Sequence, residues 1–173
     1  ENKVYNIGEN KVQETEQKLK DYNKPKEIVL HLIGHLQKNK VGKAVKMYDY
    51  IQTVDSIELA KKIQKKAKEI NKIQKIFVQI NIGNIKGRYG FDKKGIYEAA
   101  KTISKFKNIS IEGVMIIPPL IEDKEKYISF FVEAKKIQKK LNKNIIGCKN
   151  LSMGMSNDYK YAINEGATHI RIG

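Results

Sequence analysis

Short runs rich in β-branched residues alternate along this chain with stretches whose apolar positions fall on one helical face. Val4-Tyr5-Asn6-Ile7 leads into Gly8, and residues 9–20 then read as a helix marked by Val12 and Leu19. Ile28 to Ile33 is almost continuously apolar, the pattern of a parallel strand covered on both faces. Gly34 ends it, and a short helix follows through residue 47. Tyr48 to Val54 reads as the next strand. Asp55 is placed to cap a helix, with Glu58 as its capping-box partner and Ile57, Ala60, Ile63, Ala67 and Ile70 on one face.

The alternation continues. Ile76 to Ile82 is a strand, residues 83–90 form a loop, and Asp92 caps a helix with Ile96, Ala100 and Ile103 inward. Ile109 to Ile117 is a strand closed by Pro118-Pro119. The longest helix spans residues 122–141, with Tyr127, Phe131, Ala134, Ile137 and Leu141 on its stripe. Leu151 to Met155 is a strand, Ser156 or Asn157 caps a helix through Glu165, Gly166 suits its C-cap, and Ile170 to Ile172 is the last strand. Regular βα alternation predicts a parallel sheet. A dinucleotide-binding sheet carries a glycine fingerprint after its first strand, and none occurs here. The expected fold is therefore an α/β (β/α)8 TIM barrel with one strand missing.

Composition narrows the class. The 173 residues suit one domain, and 40% hydrophobic with 31% charged residues is an ordinary globular balance. No apolar run approaches the ~18–20 residues that span a bilayer, and the start lacks the apolar stretch of a secretory signal. Cys148 is the sole cysteine, so an internal disulfide and a cysteine-based zinc site are excluded. A reducing, cytoplasmic setting is expected. The net charge of +15 suggests nucleic acid, yet all but two of the 34 basic residues are lysine, the exceptions being Arg88 and Arg171. Specific readout leans on arginine forks and stacking aromatics. Salt-sensitive sticking to polyanions is the expectation that remains.

The candidate chemistry lies near the carboxyl end. In a parallel barrel Ser156 and Arg171, separated by one helix, sit at neighbouring C-terminal strand ends. A serine hydroxyl, the N–H of Gly173 and a fixed cation are the groups that bind a phosphate. Spacing alone equally allows Ser156 to cap its helix and Arg171 to pair with a carboxylate. His31, within an apolar run, reads as packed and hydrogen-bonded, and His35 after Gly34 as a residue of the barrel mouth. With Gly34 between them they lack the shared face of a zinc pair. His169 has no evident partner, and Ser152 lacks a hydrolase elbow. The loop 83–90 matches neither a Walker nor a Rossmann turn and reads as a mobile loop at the barrel top. Asp49 and Asp55 read as solvated or capping.

Several ordered segments resemble one family across essentially the whole chain. They are Gly8 to Glu14, His31 to Lys40, Val54-Asp55-Ser56, Gly113 to Pro119, Leu151 to Asp158, and Arg171-Ile172-Gly173. Together they resemble the pyridoxal phosphate homeostasis proteins. The resemblance implies a single domain over residues 1–173, of the alanine racemase N-terminal-domain type, with pyridoxal 5′-phosphate at its top. It implies a role in holding and delivering that cofactor to recipient enzymes, without established turnover. Ser156 and the backbone of Ile172 and Gly173 would hold the phosphate, Arg171 would face the pyridine nitrogen, and Asn10 and His35 would border the pocket.

In that family a lysine on the first barrel strand forms a Schiff base with the cofactor. That strand precedes the region matching Val4 to Gly8, so the chain reads as a fragment lacking the lysine and the C-terminal end. Lys3 and Lys11 read as solvated. Weak cofactor binding without an imine, and poor stability from two open sheet edges, are the expectations for this span; the complete protein is expected to be a monomer. Two alternatives stay open from the residues: a racemase-like enzyme dependent on the same cofactor, and a basic nucleic-acid-binding module.

Overall fold

A computed structural model describes residues 4–173 of the chain; Lys3 lies outside them. Seven strands, β1 (Asn6–Glu9), β2 (Val29–Leu32), β3 (Tyr50–Val54), β4 (Gln74–Ile80), β5 (Ile109–Ile116), β6 (Asn150–Met155) and β7 (His169–Arg171), pair in parallel in chain order. Helices α1 (Val12–Asp21), α2 (Val41–Met47), α3 (Ile57–Glu69), α4 (Ile96–Ile103), α5 (Lys124–Asn142) and α6 (Tyr159–Asn164) alternate with them. Pairing in unbroken chain order curls a twisted sheet into a barrel, whereas a doubly wound sheet reverses its order at the centre. The result is a nearly closed barrel of the expected type. Among the described residues β1 pairs only with β2 and β7 only with β6, which leaves a slot between β1 and β7.

The apolar runs became strands because both faces are covered. Leu32, Ile51, Ile76, Val78 and Val114 are fully or almost fully buried against a helical layer that contributes Ile63, Ile96, Phe131 and Leu141. Burial of that size dominates the stability of the domain. Strand edges moved from the sequence expectation by a residue or two. Tyr48 lies outside β3, where its buried hydroxyl meets Thr15 Oγ1 at 2.5 Å. Ile70 ends α3 as its C-cap residue and is exposed, while Leu59 takes the buried place on that stripe.

Several caps differ from expectation. Ser56, not Asp55, caps α3 by accepting from the Leu59 N–H at 3.2 Å. Asp55 faces His35 at 3.4 Å, and Glu58 pairs with Lys38. Asp92 accepts from the Lys94 and Gly95 N–H groups in a turn ahead of α4, and Asp49 accepts from the Leu30 N–H at 2.8 Å. Asp158, rather than Ser156 or Asn157, stands at the start of α6. Gly166 adopts φ +92° just past that helix, as its C-cap role requires. Lys11 is exposed and paired with Glu14 at 2.7 Å. Cys148, between α5 and β6, is fully buried, and its carbonyl accepts from Gln138 Nε2 at 2.6 Å.

Inside the barrel the side chains stack in two levels. The lower level is a ring of rings: His31 stacks on Tyr50 at 4.6 Å, Tyr50 meets Phe77 edge-on at 6.0 Å, Phe77 meets His169 at 5.3 Å, and His169 meets His31 at 5.7 Å. Inward positions recur every second residue along a strand. Gln52, Gln79 and Arg171 therefore form the next level toward the C-terminal ends. The aromatic ring is the floor beneath the polar side chains that face the barrel mouth.

Candidate functional site at the barrel mouth

The turn after β6 and the end of β7 come together at the rim. Gly154 has φ +95°, and a side chain there would press on Ala162 Cβ at 2.6 Å; the register with β7 shifts at this point, so β6 bends just before its end, ahead of the turn into α6. The turn delivers Ser156, whose hydroxyl donates to the Gly173 carbonyl at 3.3 Å and faces the Gly173 N–H at 3.5 Å. These are long, solvent-exposed bonds, easily exchanged for a better acceptor. Nothing lies within 4 Å of where a Cβ of Gly173 would stand, so the space beyond it is open. Ser156 caps no helix.

Asp158 holds this turn in shape. Its carboxylate accepts from the Met155 N–H and from the Tyr127 hydroxyl on α5. Burial, then the Asp158 carboxylate, push the Tyr127 phenol well above its ordinary range, so it stays a neutral donor.

Arg171 points inward and, among the described residues, pairs directly with no carboxylate. Its Nη1 donates to Ser152 Oγ at 2.6 Å and its Nη2 to the Ile116 carbonyl at 2.8 Å. Burial pulls the guanidinium down to about 10, against the opposing pull of Asp158 and Tyr127. It remains a cation at neutral pH. Arg171 and Ile172 line a cavity of about 120 Å³ in the slot between β1 and β7, together with Asn6, His31, Gln52 and His169. Burial, more than the neighbouring His169, lowers His31 to about 4, and burial followed by Arg171 lowers His169. His169 gains a partner that the sequence did not suggest, Thr168 Oγ1 at 2.9 Å from its Nδ1.

The other two predicted residues, Asn10 and His35, lie together in a separate depression of the rim, beside Lys11, Gln37 and Lys40. The Asn10 backbone passes so close to Gly34 that a Cβ at 34 would overlap the Asn10 carbonyl. The loop 83–90 is laced down by hydrogen bonds. Asn81 exchanges bonds with the Ile85 backbone at 2.8 and 3.0 Å, Arg88 donates to the Pro118 carbonyl at 3.3 Å, and Tyr89 stacks on His35 at 3.5 Å. The structure thus unites Ser156 with Gly173, Arg171 with Ile172, and Asn10 with His35.

Sequence reasoning missed Gln52, Ser152, Tyr127 and Asp158 as site residues. A signal existed for the first two: each is a polar residue inside an apolar strand, buried to 3% and 0% exposure, and such groups need partners. The donor set at the mouth (a hydroxyl, a backbone N–H and a guanidinium) fits a phosphorylated ligand. Gln79 Oε1, buried in the polar level without a hydrogen-bond partner among the described residues, leaves an acceptor there for a ligand donor.

A parallel barrel with anion-binding donors on its C-terminal rim defines a class of phosphate-binding α/β proteins. The sequence profile of the family described as alanine racemase, N-terminal domain, matches residues 1–173. The pyridoxal phosphate homeostasis protein of Aquifex aeolicus is 36% identical over 174 residues, covering 99% of this chain and 74% of its own length. Its Synechocystis counterpart is 32% identical, covering 98% and 78%. PipY of Synechococcus elongatus PCC7942, solved with pyridoxal phosphate bound, superimposes with a TM-score of 0.86 at 33% identity over 96% of this chain and 78% of its own. Alanine racemase of Clostridium difficile shares the fold, with a TM-score of 0.81 at 18% identity over 99% of this chain and 44% of its own. The chain belongs to the pyridoxal phosphate homeostasis protein family, built on the alanine racemase N-terminal-domain barrel.

Proposed function

We propose that this chain binds pyridoxal 5′-phosphate at the barrel mouth and serves to hold and release it within the cytoplasm rather than to turn over a substrate. The observation that carries the reading is the convergence of the Ser156 hydroxyl and the Gly173 N–H beside an inward-facing guanidinium. Ser156 and the backbone of Ile172 and Gly173 bind the phosphate, and Arg171 faces the ring nitrogen. Asn10 and His35 border the other side of the mouth, where Tyr89 stacks on His35. When bound, the cofactor supplies an aldehyde on an electron-withdrawing pyridine ring. A cation at the ring nitrogen keeps that nitrogen unprotonated and blunts the ring as an electron sink, which suits a carrier better than a racemase. The names of the relatives, homeostasis proteins rather than enzymes, support the same side.

Among the described residues, the slot between β1 and β7 has strand edges without an outer partner next to Arg171 and Gln52. A further parallel strand bearing the family lysine fits this position. Recipient enzymes that need the cofactor are the expected partners.

Equilibrium titration with pyridoxal 5′-phosphate tests the reading. Removing a hydrogen bond to a charged group costs roughly 1.5–3 kcal/mol, so Ser156→Ala should weaken binding about 10- to 100-fold, and pyridoxal without its phosphate should bind both proteins equally poorly. Equal affinity of wild type and Ser156→Ala for the phosphorylated form would remove the phosphate assignment. Optical inversion of an amino acid by the loaded protein would overturn the carrier assignment.

A further inference from the structure

We propose that Gln52 and Ser152 are positioning residues for Arg171. With His31 and Asn6 they form one file of hydrogen bonds across the barrel in which every donor points away from the guanidinium. The file starts at Arg171 Nη1, 2.6 Å from Ser152 Oγ. Ser152 Oγ lies 2.6 Å from Gln52 Oε1, Gln52 Nε2 lies 3.0 Å from His31 Nδ1, and His31 Nε2 lies 3.0 Å from Asn6 Oδ1.

The direction follows from counting protons. A guanidinium can only donate. Ser152 Oγ, having accepted from Arg171, has a single proton left, and it goes to Gln52 Oε1. That sets the Gln52 amide with its NH₂ toward His31, and an NH₂ group also only donates. Nδ1 of His31 must then carry a lone pair, so the proton of the neutral ring sits on Nε2, aimed at Asn6. Burial favours the same neutral form. The reversed arrangement, with Gln52 Nε2 donating to Ser152 and Nδ1 of His31 carrying the proton, would leave the buried Ser152 proton without an acceptor, since among the described residues Ser152 Oγ meets only Arg171 and Gln52. The cation therefore fixes the amide of Gln52 and the tautomer of His31. In return, Ser152 and the Ile116 carbonyl fix the plane of the guanidinium.

The consequence is mechanical as well as electrostatic. Asn6 belongs to β1 and Arg171 to β7, the two strands without outer partners among the described residues. The file is a strut that holds these strands at a set spacing through the interior. Polarisation runs along it in one sense, so each bond strengthens the next. That the fixed guanidinium plane addresses the ring of a cofactor rests on the function proposed above; the order of the file does not.

The test uses the uniformly ¹⁵N-labelled chain without ligand and reads the imidazole nitrogens and the Arg171 side-chain N–H signals by NMR. In the wild type, His31 should appear as the neutral Nε2–H tautomer through neutral pH and into the acid range. Ser152→Ala, two links away from the ring, should abolish the single-tautomer pattern of His31. It should also speed exchange of the Arg171 N–H protons roughly tenfold, as expected for one lost hydrogen bond. Ser152→Thr, which keeps the hydroxyl, should restore both. Gln52→Glu, which places a carboxylate against Nδ1, should turn His31 into a cation at neutral pH. A wild-type His31 protonated on Nδ1 overturns the proposal without recourse to any variant. So does a folded Ser152→Ala protein with unchanged His31 and Arg171 signals. Pyridoxal phosphate binding by the wild type is measured in parallel. Its loss with an intact file would count against the cofactor reading alone, and its presence with a wrong tautomer against the file alone.

Discussion

His31 shows how a single residue can be half legible. Its place in an apolar run announces burial, and a buried imidazole needs partners; which partners depends on strands far away in the sequence. Its proton affinity makes a testable contribution. The ordinary value near 6.5 falls to about 4 in the fold, so the unfolded chain takes up a proton that the folded chain refuses. The stability involved is fully present above pH 6.5 and is lost as pH falls toward 4, by roughly 3 kcal/mol across that window. His169, lowered by burial and Arg171, acts with the same sign. Denaturant midpoints measured through this range should drop with acid, and His31→Gln should flatten part of the slope. A wild-type midpoint independent of pH between these values would refute the assignment.

At the scale of elements, the strands were readable from β-branched runs, and the structure moves their ends by only a residue or two. Caps were harder to read, for a physical reason. Asp55 and Ser56 are both good caps by chemistry, as are Ser156, Asn157 and Asp158. Tertiary partners break the tie: His35 draws Asp55 away from α3, and Tyr127 draws the Asp158 carboxylate toward α5. That Ser156 faces Gly173 instead of capping α6 became visible only once that competition was resolved. Ser56→Ala should cost about 1 kcal/mol of folding stability, while Glu58→Ala should leave the unfolding midpoint unchanged. A true capping box would make both variants costly. Gly154→Ala should be harsher, since it forces a side chain at φ +95° against Ala162. A loss of about 1–3 kcal/mol is expected, with weaker cofactor binding as the turn carrying Ser156 shifts. Thermal melts and titrations of the wild type and Gly154→Ala check both parts.

For the whole molecule, the decisive feature is the slot. Among the described residues, parallel strands β1 and β7 each lack an outer partner, and such edges recruit further strands. The 173-residue span taken by itself should self-associate at high concentration, with a mass that rises on sedimentation analysis; a concentration-independent monomer of that span would contradict this. The charge of +15 makes any affinity for nucleic acid fall steeply with salt, and retention at high ionic strength would revive the nucleic-acid reading. One further property of the whole fold follows from its single thiol. Burial raises Cys148 to about 12, so in the closed molecule it has almost no thiolate for a reagent to attack. An alkylating probe marks each molecule once, and only after the corner between α5 and β6 has opened. The chain thus contains its own stopwatch: the rate of mass gain under excess reagent counts how often that corner opens.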